Sequence, residues 1–344
     1  SNSWSNETRS SSIQNSNPME NLVLNHNGVF EVPPKSSNLN SQFIEANTQE
    51  INLNEIRDKH IIPVFLKDNE PAISQVDFVE VVSEAARAHF GIPFTLDANI
   101  RVSHPIKGRI YEARQKKAQE LLDHEKTIYY ERMAFMLEIP GISTEVAGNR
   151  LNLTVGGVKA YNLDNMNTSK GSNEHFKVFV GFKNTVCTNL CVSTDGVKLD
   201  LGVKSLDELF GEVRGLLARY NENNHLHQMA ALQDYELSEQ QFAQILGKGR
   251  LYQYLPKSEK SQVRELLIND TQISRVAEHY YSDRNFKRSK TGKIDLWRFY
   301  NLMTGAVKSS YIDKFVEREL NSFDFTLQVK NALDSGPEGF WYLN

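Results

Sequence analysis

Only two of the 344 residues are cysteine, which excludes a disulfide framework and makes a reducing cytoplasm the expected setting. There is no uninterrupted apolar run of the roughly 20 residues that a membrane span needs, so no membrane partner is expected. The N-terminus lacks a basic stretch followed by an apolar core, so no secretory leader is expected either. Charge of one sign is also scarce: the net charge is −4, and any nucleic-acid binding would have to rest on a local basic patch. The phosphate loop, the GxGxxG turn after a strand, the GxSxG elbow and the HExxH motif are all missing. No cofactor, metal or catalytic residue is therefore assigned, and an enzyme is not the first expectation. Oligomeric state is not legible.

What is present is an ordinary globular mixture, 40% hydrophobic and 24% charged. Residues 1–49 are rich in Ser and Asn and almost free of apolar periodicity. They read as a flexible arm in which Leu22, Val23, Leu24, Val29 and Phe30 form a short apolar island that could dock on the body or on a partner. Residues 50–202 read as an α+β sheet domain, and residues 203–344 as a helical region packed on that sheet.

Within the sheet domain, the run 60–66 is β-rich and is followed by a turn at 67–71. Ser74 and Asp77 make an acidic capping box, and Ile73, Val76, Val79, Val82 and Ala86 form the helical stripe behind it. Residues 100–103 read as a strand, and 111–122 as a charged, exposed helix. Residues 132–139 read as a strand stopped by Pro140 and Gly141. Residues 151–161 read as another, interrupted by a bulge at Gly156 and Gly157. Ala147, Gly148 and Asn149 give a hairpin turn between these two. A polar loop at 162–173 leads to the clearest strand. There Phe176, Val178, Val180 and Phe182 alternate with Lys177, Phe179, Gly181 and Lys183, the pattern of a half-buried strand. Successive strands joined by turns argue an antiparallel sheet with flanking helices rather than a doubly wound one.

From Gly202 onward the pattern is helical. Ser205 with Glu208 and Ser238 with Gln241 form capping boxes, and Gly247 and Gly249 are expected to end the second of these helices. Ile273, Val276, Ala277 and Tyr280 mark another helix. Leu296, Phe299, Tyr300 and Met303 mark the next, and Ile312, Val316, Leu320, Phe323 and Leu327 the last.

Candidate chemistry is thin. Cys187 and Cys191 read either as packing residues or as a nucleophile or metal ligand. In a strand they would lie about 13 Å apart, too far for a disulfide. His225 and His227 would point about 200° apart on a helix, so they could not chelate together. Lys107 and Arg109 flank Gly108 in a turn where backbone could approach a phosphate. The strongest basic signal is the loop 283–293, with Arg284, Lys287, Arg288, Lys290 and Lys293 against the acid Asp283. Phe286 and Trp297 are the rings expected to stack on bases there.

Val186, Cys187, Thr188 and Asn189 resemble the V-C-x-N signature of the phage/plasmid-like protein family. The run 296–304 resembles that family's C-terminal helical motif, an aromatic turn ending in Asn and then Thr. Cys187, Asn189, Trp297, Asn301 and Thr304 are thereby the family-motif residues. Leu190 departs from the pattern, standing where that family often has a small residue or Thr. More closely, the chain from about residue 51 to its end resembles a family of unknown function carried on conjugative elements of gut bacteria. The phrases IRVSHPIKGRI, HEKTIYYERMAF and FKNTVCTNLCV carry this likeness. The resemblance implies a mobile-element setting and a DNA-related role, and supplies no reaction.

The expectation is thus a non-enzymatic protein that binds or handles DNA, single-stranded before duplex. The alternative is an interaction protein, an anti-restriction or replication accessory factor, that meets a protein partner through its N-terminal arm. An enzyme using Cys187 is the third reading.

Overall fold

A computed structural model describes residues 42–46, 48–59, 73–161 and 174–344. Most of the N-terminal arm, the β-rich run 60–66, its turn at 67–71 and the polar loop 162–173 lie outside the described residues. The elements of the sheet half are β1 Gln49–Ile51, α1 Leu53–Lys59, α2 Gln75–Phe90, β2 Ala98–Val102, β3 Pro105–Arg109 and β4 Lys126–Tyr130. They continue with β5 Arg132–Val146, β6 Asn149–Ala160, β7 Glu174–Asn184 and β8 Leu190–Val203. The helical half holds α3 Leu206–Arg219, α4 Glu222–Ala231, α5 Glu239–Tyr254, α6 Lys257–Lys260, α7 Asp270–Ser282, α8 Leu296–Val307 and α9 Ile312–Ser335. A two-residue pair, β9 Glu236–Leu237 with β10 Ile294–Asp295, is set between them.

The main sheet has six strands in the order β1-β2-β5-β6-β7-β8, and every neighbouring pair is antiparallel. The expected α+β class with an antiparallel sheet, flanking helices and a helical C-terminal region is what the chain forms. The β5–β6 turn is two residues, Ala147 and Gly148, at φ +49° and +80°. Positive φ at both central positions matches the right-handed twist of the strands it joins. Ser74 and Asp77 exchange their hydrogen bonds as a full capping box, as do Ser238 and Gln241. Ser205 accepts from Glu208 N, while the Glu208 carboxylate turns back to Lys204 N.

Helices cover both faces. Phe78 of α2 packs edge-on to Phe135, with ring centroids 5.2 Å apart, and tilted on Phe176 at 4.7 Å. On the opposite face Lys177 donates to Asp313 O at 2.5 Å and pairs with Glu317 of α9. This is why β7 is buried on both sides rather than one. The two lysines that alternate with its apolar residues are buried, and each has a carboxylate: Glu317 for Lys177 and Glu138 for Lys183. One hydrophobic cluster runs through the sheet and the helical region alike. The described end of the arm belongs to it. Phe43 and Ile44 are buried, Glu45 N donates to Lys308 O at 2.7 Å, and Glu45 pairs with Arg275 at 2.6 Å.

Several local expectations are corrected. Strand β5 does not stop at Pro140. Its pairing with β6 lapses between Glu138 and Ser143, where Pro140 has no N–H to give and Gly141 takes φ +75°, and then resumes. Gly156 and Gly157 are not a bulge, since both pair in register with β5 and with β7. The stretch 111–122 is not a helix but short 3-10 turns, Tyr111–Ala113 and Ala118–Glu120, strung between β3 and β4. Residues 105–109, read as a turn, are strand β3. Helix α5 runs on past Gly247 and Gly249 to Tyr254. Finally, the sheet has one further strand, β8, beyond the clearest one, β7.

Candidate functional site

The turn between β7 and β8 is the point at which the motif residues meet. Strand β7 ends at Asn184, whose backbone N–H and C=O hold Asn189 O and Thr188 N. That closes a tight turn and forces Thr188 to φ +61°, an uncommon position for a β-branched residue. Helix α8 lies against this turn. Asn189 Nδ2 donates to Asn301 O at 2.9 Å, and Asn184 Nδ2 reaches Asn301 Oδ1 at 3.4 Å. Asn301 Nδ2 in turn donates to Trp297 O at 2.9 Å, and Thr304 Oγ1 to Asn301 O at 3.3 Å. Trp297 Nε1 donates to Asn149 Oδ1 at 2.7 Å, at the β5–β6 turn. Asn189, Trp297, Asn301 and Thr304 therefore form one chain of buried hydrogen bonds, and Cys187 sits in the turn that they hold.

Three further residues complete the cluster. Lys308, at the end of α8, donates its ammonium to Cys187 O and to Thr188 Oγ1. Tyr300 is fully buried, and its hydroxyl has no hydrogen-bond partner among the described residues. Glu319 of α9 is fully buried, and neither of its carboxyl oxygens has a hydrogen-bond partner among the described residues. Sequence reasoning missed Lys308 and Glu319. A signal was there: Glu319 interrupts the apolar stripe of the last helix between Val316 and Phe323.

Burial dominates the electrostatics. It pushes the Cys187 thiol up to about 11, with the Lys308 ammonium opposing it. A thiol so placed holds almost no thiolate at neutral pH and is a poor nucleophile. Burial raises the Cys191 thiol further, and lifts Glu319 well above the usual carboxyl range against the pull of Lys308. His225 is buried, is driven down to about 3 by desolvation, and shares a 2.5 Å hydrogen bond between its Nδ1 and Tyr220 OH. His227 is exposed on another side of α4. These properties are those of a clasp that fixes the turn against α8. Asn189→Ala should lower unfolding free energy by about 1 kcal/mol, the net worth of one buried hydrogen bond, since Asn301 O keeps Thr304 Oγ1 as a donor. Urea denaturation with an unchanged m-value would show it.

The basic loop 283–293 follows α7 and is braced throughout. Asp283 Oδ1 accepts from Asn285 N and Phe286 N at 2.8 Å each, Arg288 N donates to Tyr280 O at 2.8 Å, and Ser289 N donates to Lys293 O at 2.8 Å. Gly292 sits at φ +85° and its carbonyl takes the Tyr280 hydroxyl. Arg284, Lys287, Lys290 and Lys293 project into solvent. Lys293 lies 3.9 Å from the exposed Glu236. The rings are a correction: Phe286 is 3% exposed and Trp297 2%, so neither presents a face to a base. Phe286 instead plugs the loop into the core. The accessible ring is Tyr281, 58% exposed, with the Arg288 guanidinium 5.0 Å from its centroid.

Lys107 and Arg109 stand elsewhere. They lie on β3, which pairs with β4 in a ribbon that leaves the sheet after Val102 and rejoins it at Arg132. Lys107 is exposed, and the Arg109 guanidinium is turned to Lys116 O. Arg132 pairs with Ala160 at one end of β6, whereas Trp297 is anchored to Asn149 at the other. Arg298, next in α8, reaches Lys287 O. Twelve strand residues separate those ends, on the order of 35 Å at the usual rise. The ribbon and the loop are thus two basic places rather than one groove.

Among the described residues no group of three or more His, Cys, Asp or Glu side chains is arranged to hold a metal ion, and no helix is long and apolar enough to cross a membrane. A family model described as a domain of unknown function, B. Theta Gene description (DUF3871), matches residues 24–343. Comparison with curated proteins gave no match, and comparison with solved structures gave none.

Proposed function

We propose that this chain, which belongs to the DUF3871 family of domains of unknown function, binds single-stranded nucleic acid without reacting on it. One observation supports this reading above the others: four exposed cations on a loop held rigid by its own hydrogen bonds, beside an exposed tyrosine. Arg284, Lys287, Lys290 and Lys293 take backbone phosphates, and Tyr281 with Arg288 offers the flat surface for an unstacked base. Lys107 and the β3–β4 ribbon are a separate, weaker contact. The protein works in the cytoplasm as part of a mobile element.

Fluorescence anisotropy with a labelled single-stranded oligonucleotide tests this. Four phosphate contacts on a single strand give a log–log salt slope of about −2.8, so affinity should fall about 50-fold between 50 and 200 mM salt. Tyr281→Ala should weaken binding by about 1–3 kcal/mol with the slope unchanged. Lys287→Ala with Lys290→Ala should flatten the slope by about 1.4. Absence of binding at 50 mM salt would sink the reading and leave the accessory-factor alternative in its place.

A further inference from the structure

Lys308 and Glu319 are two buried charges for which nucleic-acid binding has no use. Lys308 follows the last residue of α8 and Glu319 lies on α9; they are close enough to act on each other electrostatically, yet they form no ion pair. Instead the ammonium is spent on the Cys187 carbonyl and the Thr188 hydroxyl, while both Glu319 oxygens lack a partner among the described residues. A carboxylate in that position would be a bare buried anion beside a cation, and the two would be expected to close on each other. A protonated carboxyl has no such claim. The observed arrangement is therefore the one that belongs to neutral Glu319.

We infer that Lys308 is a two-position cation: it holds the β7–β8 turn while Glu319 carries its proton, and moves to Glu319 when that proton is lost to solvent, which unclasps the turn. No covalent bond changes except the O–H of the acid. What the turn loses is considerable. Thr188 is kept at positive φ by a turn whose carbonyl and hydroxyl are both tied to this ammonium. The backbone carbonyl of Lys308 also receives Glu45 N and Ala46 N from the N-terminal segment, so a shift at this residue is felt there as well.

The other groups in reach set the direction. The titratable groups that act on Glu319 electrostatically are Tyr300 of α8, Lys308 just after that helix, Cys191 of β8 and Cys187 of the turn. Facing Lys308 are also Glu45 of the N-terminal segment, Arg275 of α7 and Lys183 of β7. Of these only Lys308 stabilises an ionised Glu319, and burial opposes ionisation more strongly. Because the carboxyl is held above its unfolded range, its contribution is fully present in acid and is lost as pH rises. Unclasping is an alkaline event.

Cys187 reports on its own turn, and the fully buried Cys191 reports on global unfolding. Alkylation of Cys187 with iodoacetamide should be followed from pH 6 to pH 9 in the wild type and in Glu319→Gln. Their ratio cancels the thiol's own titration. It is expected to rise with pH, by up to about tenfold per pH unit while Glu319 is still mostly protonated, since unclasping releases one proton. Lys308→Met should label fast at every pH, and if Glu319→Gln fails to fold, the wild type should instead approach the Lys308→Met rate as pH rises. A flat ratio, a wild type that never approaches Lys308→Met, or Cys191 labelled in step with Cys187 would each overturn the two-position cation. None of these readouts involves nucleic acid.

Discussion

Gly156→Ala is expected to be among the most damaging single-methyl changes in the sheet, costing about 3 kcal/mol or more, the upper end for overpacking a core. Gly156 lies in β6 with a strand on either side, opposite Met136 and Phe179. A Cβ there would stand 2.2 Å from Phe135 O and 2.5 Å from Phe179 Cζ. The ring could rotate, but the carbonyl belongs to the neighbouring strand and cannot move without opening the ladder. Gly157 is nearly as confined: its Cβ would stand 2.6 Å from Phe78 Cζ and 2.7 Å from Lys177 O. The control is Gly211→Ala in α3, where a Cβ meets nothing within 4 Å. That change should stabilise by about 0.5–1 kcal/mol, the ordinary helix preference for Ala over Gly. Urea denaturation of the two variants should give shifts of opposite sign. A Gly156→Ala protein with the wild-type midpoint would show that β6 is not packed as described.

Trp297→Ala should rank beside it, at about 3–5 kcal/mol, the usual cost of emptying a large aromatic site. Trp297 ties α8 to the β5–β6 turn through Nε1 to Asn149 Oδ1, while its ring packs 6.0 Å from that of Tyr300. Trp297→Phe separates the two roles. It keeps most of the packing and removes only the indole donor, so it should cost about 1 kcal/mol. Midpoints from denaturant curves would show whether the pair divides this way. If Trp297→Phe were as damaging as Trp297→Ala, the hydrogen bond to the hairpin, and not the packing, would be the larger part.

The elements legible in the sequence were those whose pattern is local. The alternation from Phe176 to Lys183, the turn at Ala147 and Gly148, and the Ser-led caps each follow from side-chain chemistry within a few residues. Strand β8 escaped because Thr194, Asp195 and Gly196 break its alternation, and its pairing with β7 shifts register twice. Gly196 is needed there because a Cβ would stand 2.4 Å from Val180 O, a requirement set by a neighbour that the sequence does not reveal. Pro140 looked like a stop because its missing N–H is a local fact, whereas the resumption of pairing at Ser143 is a property of β6. The candidate site divided in the same way. Exposed lysines could be read from composition. That Phe286 and Trp297 point inward could not, since an aromatic beside a basic run has the same local signature whether it faces water or core. Glu319 was passed over because a single acid within an apolar stripe is invisible when only the apolar positions are counted.

The N-terminal segment that ends on Lys308 also fixes an order of events. Glu45 and Arg275 are 230 positions apart in the chain, and the carbonyl that Glu45 N and Ala46 N require lies further on still. During synthesis at about 5–20 residues per second, roughly 15–50 seconds must pass between the appearance of Phe43 and that of its docking surface. Phe43 also leans on Phe315, 272 positions further along the chain. The first described residues to leave the ribosome are thus among the last to find their places. A pairing of such sequence separation is slow to form on loop-closure grounds alone. Until it does, the nascent protein carries a bare Phe43 and Ile44, the kind of apolar handle that a holding chaperone grips.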